Sequence, residues 1–139
     1  MSGDLHYTAG LIDGEGTVGL EPQSGTRFRG PFVSVPSTSM GIISWLQAHH
    51  PGGVVSTRRS GNDRHADCYV WKLRGSKALA LLAAVWPLLQ EENKRERARL
   101  LAEEYGPATA ANGRYTEAQL AKKLALEERV MTLNSRHGR

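Results

Sequence analysis

Apolar and polar residues alternate along four short stretches of this chain and recur at helical spacing along most of the rest. "TVGLEP" reads as a strand, and "PFVSVPS" as a second, with Val33 and Val35 on one side and Ser34 on the other. "VVSTRRS" and "CYVWKLR" are the third and fourth, joined by the polar "GNDRHAD". In the fourth, Tyr69, Trp71 and Leu73 share one face and Cys68, Val70 and Lys72 the other. Helical spacing predicts a first helix from about Leu5 to Gly14, capped by Asp4 and ended by Gly14 and Gly16. "SMGIISWLQAHH" is a second, stopped by Pro51-Gly52-Gly53. Ser76 caps a third, "KALALLAAVWPLL", which Pro87 kinks or breaks. A fourth runs from about Glu91 to Tyr105, with Gly106-Pro107 as its stop. "ATAANGRY" is a linker, and Thr116 opens a last amphipathic helix to Leu133. The order is α-β-β-α-β-β-α with extra helices, an α+β domain with a four-stranded antiparallel sheet and helices on one face. The other face would carry Ser34, Ser56, Arg58 and Lys72.

Composition narrows the class. The 139 residues suit one domain over 1–139, with a core of about 4–105 and a C-terminal helical extension of about 114–134. Hydrophobic residues make up 40% and charged residues 23%, which reads as soluble. No apolar run approaches the roughly 20 residues that span a bilayer. No basic segment precedes an apolar one at the N-terminus, and the single Cys68 excludes an internal disulfide and fits a reducing compartment. The expectation is an intracellular, soluble protein of a bacterial cytoplasm or nucleoid, a phage host or an organelle. A net charge of +4 and a pI near 9.5 allow a polyanionic partner. Thirteen of the 18 basic residues are Arg, whose planar fork suits phosphates and guanine edges. His49-His50 has no Cys partner or spaced His pair and is better explained as a helix end, and Trp45, Trp71 and Trp86 are most simply core.

The chemistry concentrates in "TAGLIDGEG", Thr8 to Gly16. Gly14 to Gly19 spells G-x-G-x-x-G, but a dinucleotide loop runs from strand to helix, and here the helix comes first. A phosphate would then meet a helix C-terminus and Glu15, both unfavourable. An ordinary helix end is the plain alternative, yet carboxylates there oppose the helix dipole at a cost of a few tenths to about 1 kcal/mol. Ala9 and Asp13, and Gly10 and Gly14, are four apart, so each pair lies on one side of the helix. Small residues let another backbone approach, which predicts packing on a second copy and places Glu15 near a two-fold axis. Two copies of Glu15 would then offer hard oxygen ligands suited to Mg²⁺.

The nine residues resemble the signature of the LAGLIDADG homing endonucleases, with Thr8 in place of the usual Leu. "YVWKLRGSKAL" resembles that family's fourth strand and following helix, "NKRERARLL" its lysine-bearing segment, and "LEERVMTLNSR" the C-terminal helix of single-motif members from chloroplast introns. The resemblance implies a homodimer paired through the motif helix, with Ala9, Gly10, Asp13 and Gly14 at the interface. It implies Glu15 and the Gly14 carbonyl as metal ligands, Asp13 as structural support, and Mg²⁺ as cofactor, with Mn²⁺ or Ca²⁺ able to occupy the same site. Lys94 matches the family's basic catalytic residue, with Arg95 and Arg97 as neighbours. Ser37 stands where the family often has Gln, and is shorter; Pro36 is also a departure. The implied reaction is hydrolysis of both strands of a long pseudo-palindromic double-stranded DNA target by metal-activated water, leaving 3′ overhangs. The implied DNA contacts on the sheet are Glu21, Gln23, Ser34, Ser56, Arg58, Val70 and Lys72. Those on loops and the C-terminus are Arg27, Arg29, Arg59, Asn62, Arg64, His65, Asn134, Ser135 and Arg136. Val33 and Val35 make odd positions face inward, so a bulge or loop must intervene for Arg27 and Arg29 to reach DNA. A cleavage-deficient binding protein of the same fold, an RNA maturase or a transcriptional regulator, is the alternative.

Overall fold

The alternation in the strands fixes the sheet. Val18, Leu20, Val33, Val35, Trp71 and Leu73, all 4% exposed or less, turn to one side. In the computed structural model, which describes residues 2–59 and 67–137, these strands are β1 (Thr17–Glu21), β2 (Gly30–Ser37), β3 (Val54–Arg58) and β4 (Cys68–Arg74). They form one antiparallel sheet in the order β1-β2-β4-β3. Thr17 pairs with Ser34, Ser34 with Lys72 and Lys72 with Val54, so these four make one cross-strand row. Two residues along, Pro36, Val70 and Ser56 make the next. Ser34, Ser56, Arg58 and Lys72 thus share the outer face, as the alternation predicts.

The helices cover the inner face. They are α1 (Ser2–Glu15), α2 (Met40–His49), α3 (Gly75–Val85), α4 (Glu92–Leu100), the single turn α5 (Gly106–Ala108) and α6 (Glu117–His137). Both α1 and α3 lie against β2, α2 reaches β2 and β4, and α4 and α6 pack on β1. Trp71 is fully buried, and its indole N–H donates to Gln47 Oε1 at 3.0 Å. Gln47 in turn donates to the Gly53 carbonyl at 2.8 Å. A side chain at Gly53 would start 2.5 Å from the indole nitrogen, so only glycine fits the turn between α2 and β3. Of the other tryptophans, Trp45 and Trp86 are half-buried against the same core.

Several element ends differ from the sequence reading. The first helix starts at Ser2, so Asp4 sits inside its first turn rather than capping it. It runs on through Gly14 to Glu15 and closes with Gly16 N–H donating to the Ile12 carbonyl at 2.9 Å. Ser76 is not a cap: α3 begins at Gly75, directly after β4, without a side-chain cap. Pro87 does end that helix, in a 3₁₀ turn over Trp86–Leu88. Gly106-Pro107 does not stop the fourth helix. A wide π turn over Leu101–Tyr105 follows α4, and the path stays helical to Ala108. The wider turn shifts the carbonyls that the Pro107 ring would otherwise strike. Thr116 does cap α6: its Oγ1 accepts from Gln119 N at 3.1 Å while Gln119 Oε1 accepts from Thr116 N at 2.9 Å, a reciprocal capping box.

Candidate active site

The motif helix is a poor helix by composition. Three glycines, Gly3, Gly10 and Gly14, lie within it, each costing about 0.5–1 kcal/mol relative to alanine. Its hold comes from the inner side, where Thr8, Ala9 and Ile12 are buried and Leu5 and Leu11 pack against the core. Ala9 is only 2% exposed, so its methyl faces this chain's own core. That departs from the expected interface set. The side left open is Gly3, Tyr7, Gly10 and Gly14, and a Cβ placed on any of these three glycines meets nothing within 4 Å.

Thr8 is fully buried and hydrogen-bonded. Its hydroxyl lies 3.0 Å from the Asp4 carbonyl and 2.8 Å from His50 Nε2. Burial and the neighbouring His49 hold the His50 imidazole below its ordinary value, against the pull of Asp4. His49 stacks on Trp45 at 4.1 Å, and its Nδ1 is 2.9 Å from the Trp45 carbonyl. Neither histidine belongs to a metal-binding cluster among the described residues.

At the other end of α1 the two carboxylates part company. Asp13 accepts from Gln90 N at 2.9 Å and Glu91 N at 3.0 Å, tying the motif helix to the turn before α4. Glu91 carries the connection on, capping α4 by accepting from Asn93 N and Lys94 N. Asp13 is therefore occupied within its own chain. Glu15 is exposed, and no hydrogen bond or ion pair engages its carboxylate among the described residues.

The helix end beneath Glu15 is held by cations from α4. Lys94 Nζ donates to the carbonyls of Ile12 at 3.0 Å and Asp13 at 2.8 Å. Those are last-turn carbonyls, where a positive charge complements the helix dipole. Its third N–H is uncommitted among the described residues. One helical turn on, Arg97 is buried, and its Nε donates to the Val18 carbonyl of β1 at 2.8 Å. Burial lowers its affinity for the proton, with Glu91 opposing, and its Nη1 has no partner among the described residues. Arg95 points elsewhere, its guanidinium 5.5 Å from the Trp86 ring. Between these grips lies Gly16, where a Cβ would stand 2.8 Å from Ile12 Cα and 3.0 Å from the Ser34 carbonyl. Strand β2 runs on past its last partner in β1, so Ser37 lies at the end of the sheet where Glu15 sits. Its hydroxyl accepts from Ser39 N at 2.9 Å, in the turn that starts α2.

One chain offers a cation the Glu15 carboxylate and the Gly14 carbonyl, both hard oxygens and the right kind for Mg²⁺. Two ligands fall short of the six such an ion takes, and no group of three ligating side chains stands together among the described residues. The donor types fit such an ion, but these two alone would not complete its shell.

On the outer sheet face Glu21 joins two cations. Lys72 Nζ is 2.7 Å and Arg74 Nε 2.8 Å from its oxygens. Burial pushes the Glu21 carboxyl up, and the hydrogen bonds from Lys72 and Arg74 outweigh this, leaving it below the usual carboxylate range. Lys72 also lies 4.8 Å from the Phe32 ring. Arg74 was not among the expected contacts, although its parity with Lys72 placed it on this face. Val70 shares the face but is 8% exposed, seated between Pro36 and Ser56 in its row, and offers little surface to a partner. Arg58 and Arg59 are exposed, as are Ser56 and Arg27. Gln23 donates to the Phe28 carbonyl at 3.1 Å, inside the loop between β1 and β2, and Arg29 is half-buried. That loop intervenes before β2, which removes the parity conflict at Arg27 and Arg29. Asn62, Arg64 and His65 lie outside the described residues, as do the side chains of Asn134, Ser135 and Arg136 at the end of α6.

No protein-family model and no curated protein matches the chain. Solved structures do. The homing endonuclease I-CvuI, in complex with the I-CreI target in the presence of 2 mM Mg with its DNA not cleaved, is similar at a TM-score of 0.69. Identity is 21%, over 99% of this chain and 86% of that one. The archaeal intron-encoded homing endonuclease I-Vdi141I, complexed with DNA, gives a TM-score of 0.62 at 15% identity, over 95% of this chain and 84% of its own. The LAGLIDADG meganuclease I-CpaMI, bound to uncleaved DNA, gives 0.63 at 12%, over 88% of this chain but 43% of its own.

Proposed function

We infer that this chain, which has the fold of the LAGLIDADG homing endonucleases, is a single-motif member of that family and a homodimeric, divalent-metal-dependent DNA endonuclease. The observation that carries the reading is the foot of α1. An exposed, unpartnered Glu15 stands beside the Gly14 carbonyl, over a lysine bound to the helix end. A second copy related by a two-fold along α1 would supply the other half of the oxygen set. The open glycines support this pairing, because they weaken the helix without making room for anything in their own chain. Coverage of most of I-CvuI but under half of I-CpaMI is what a unit working in pairs would give.

In this reading Glu15 and the Gly14 carbonyl would hold a divalent cation at the foot of the motif helix. The bound cation supplies Lewis-acid activation of water and offsets phosphate charge. Lys94 keeps one N–H to direct at the phosphate or leaving oxygen, and stays fixed because its other two donors are bonded. Asp13 anchors the helix end so that Glu15 is held in place. Each copy cuts one strand. The outer face of the sheet, with Arg58, Lys72 and Arg74, reads or grips the duplex.

The rejoined insertion locus from the genomic flanks is the candidate substrate. Mg²⁺-dependent double-strand cleavage of it is expected from the wild type, and Glu15→Gln should cut undetectably while binding the same duplex. A second reading, binding without cleavage, is favoured by Ser37, whose hydroxyl is committed to Ser39 N. It prevails if the wild type binds that locus and never cuts it.

A further inference from the structure

The loop over 22–29 is long for a connection between paired strands, where two to five residues are usual. Its inner contacts all lead to the C-terminal part of the chain. Phe28 meets the Tyr115 ring at 4.9 Å. The Arg29 N–H donates to Glu127 Oε2 at 3.2 Å, and the Tyr105 hydroxyl donates to the Arg29 carbonyl at 3.1 Å. Beneath them lies Lys123, 1% exposed. Its Nζ donates to Thr109 Oγ1 at 2.6 Å and sits 3.6 Å from the centre of the Tyr105 ring and 5.8 Å from that of Phe28. Phe28, Tyr105, Thr109, Tyr115 and Lys123 line a cleft of about 220 Å³ together with Gln23 and Thr26 of the loop. A buried ammonium is costly unless it is compensated, and here a hydroxyl, two aromatic faces and the nearby Glu127 compensate it. Burial lowers the affinity of Lys123 for its proton, and Glu127 opposes that. A lysine, two tyrosines and a glutamate from three separate segments thus converge on one turn of the chain. They hold Phe28 by its ring and Arg29 by its backbone, with Arg27 next in the chain.

We propose that Lys123, Tyr105 and Glu127 form a latch from the C-terminal helices that presets the 22–29 loop, making them positioning residues for DNA recognition through Arg27 and Arg29. This rests on the endonuclease reading for its ligand, but not for its geometry. Holding the loop before binding removes the ordering cost that a free loop would carry into the complex. In the latched loop Phe28 is fixed against Tyr115 and Lys123, while Arg27 stays exposed with its guanidinium 5.3 Å from the Phe28 ring.

The test uses the full chain, hydrogen exchange and a mixed-sequence DNA duplex at low salt. Lys123→Met keeps the stem and removes the charge. Exchange of the amides over 24–29 is expected to rise about tenfold, with β4 unchanged, as for local rather than global opening. Duplex affinity should fall about threefold in the wild-type background and not at all when Arg27 and Arg29 are already alanine, the signature of action through those residues. Tyr105→Phe, which removes only the hydroxyl on Arg29, should give the same pattern at smaller size, and it decides the matter if Lys123→Met does not fold. Unchanged loop exchange, or an equal loss of affinity in the alanine background, overturns the latch. A wild type that binds no duplex sinks the endonuclease reading instead, and the exchange result alone then judges the latch.

Discussion

Thr8 shows how a single side chain departs from a motif and is absorbed by the fold. A leucine there would be plain core; the threonine is buried too, and stays satisfied through the Asp4 carbonyl and His50. Thr8→Val keeps the shape and strips the hydroxyl from His50 Nε2, so it should cost about 1–3 kcal/mol in urea unfolding. Burial of His50 beside His49 also makes stability depend on pH. The folded imidazole lies below its ordinary 6.5, so the unfolded chain takes up the proton first. Stability is then complete above about pH 7 and falls as pH drops through 6.5 toward the folded value. A melting series from about pH 8 to 5 should show that fall, and His50→Gln should flatten it. None of this was legible in the chain, because Thr8 and His50 are 42 residues apart and only the packing of α1 on the end of α2 joins them. The place of Glu15 at the foot of the motif helix was legible, since its neighbours in sequence are its neighbours in space.

Among elements, the strands were the easiest to read and the helix ends the hardest. Period-two alternation survives because the sheet has one buried face, which pins parity. Helix ends depend on caps and on what the next element does. Asp4, Ser76 and Gly106 are all good signals locally, and the helical path extends past each of them. The joint between α1 and β1 is the most constrained of these boundaries. Gly16→Ala would drive a methyl against backbone at Ile12 and Ser34, neither of which can yield like a flexible side chain. It should destabilise by about 1–3 kcal/mol, and calorimetry on the purified variant would measure it. Lys94 could be assigned a role from its segment, but its bond to the helix end could not, since that contact spans 82 residues.

For the whole molecule, the open side of α1 is where one chain leaves off. A Cβ at Gly10 meets nothing within 4 Å in its own chain, so Gly10→Leu should keep the melting point or raise it slightly as the better helix former. If two copies pair there, light scattering should show a monomer, and cleavage should fall with it. A variant that stays dimeric would move the interface elsewhere. The open side of α1 was half legible: Gly10 and Gly14 were expected to lie free of their own core, while Ala9 turns inward for reasons of core packing. The burial of Lys123 and Glu127 on α6 was not marked in the sequence, because it depends on the β1–β2 loop and Tyr105 packing over them. Finally, α4 behaves as a rail. Lys94 grips the end of α1 and Arg97 the second residue of β1, on either side of a glycine with no slack. The backbone at that joint is therefore held in place. If the chain works as the paired endonuclease proposed above, the distance between the two cuts would be set by how two motif helices cross, a property of the pair that residues 3, 7, 10 and 14 could retune without touching the chemistry.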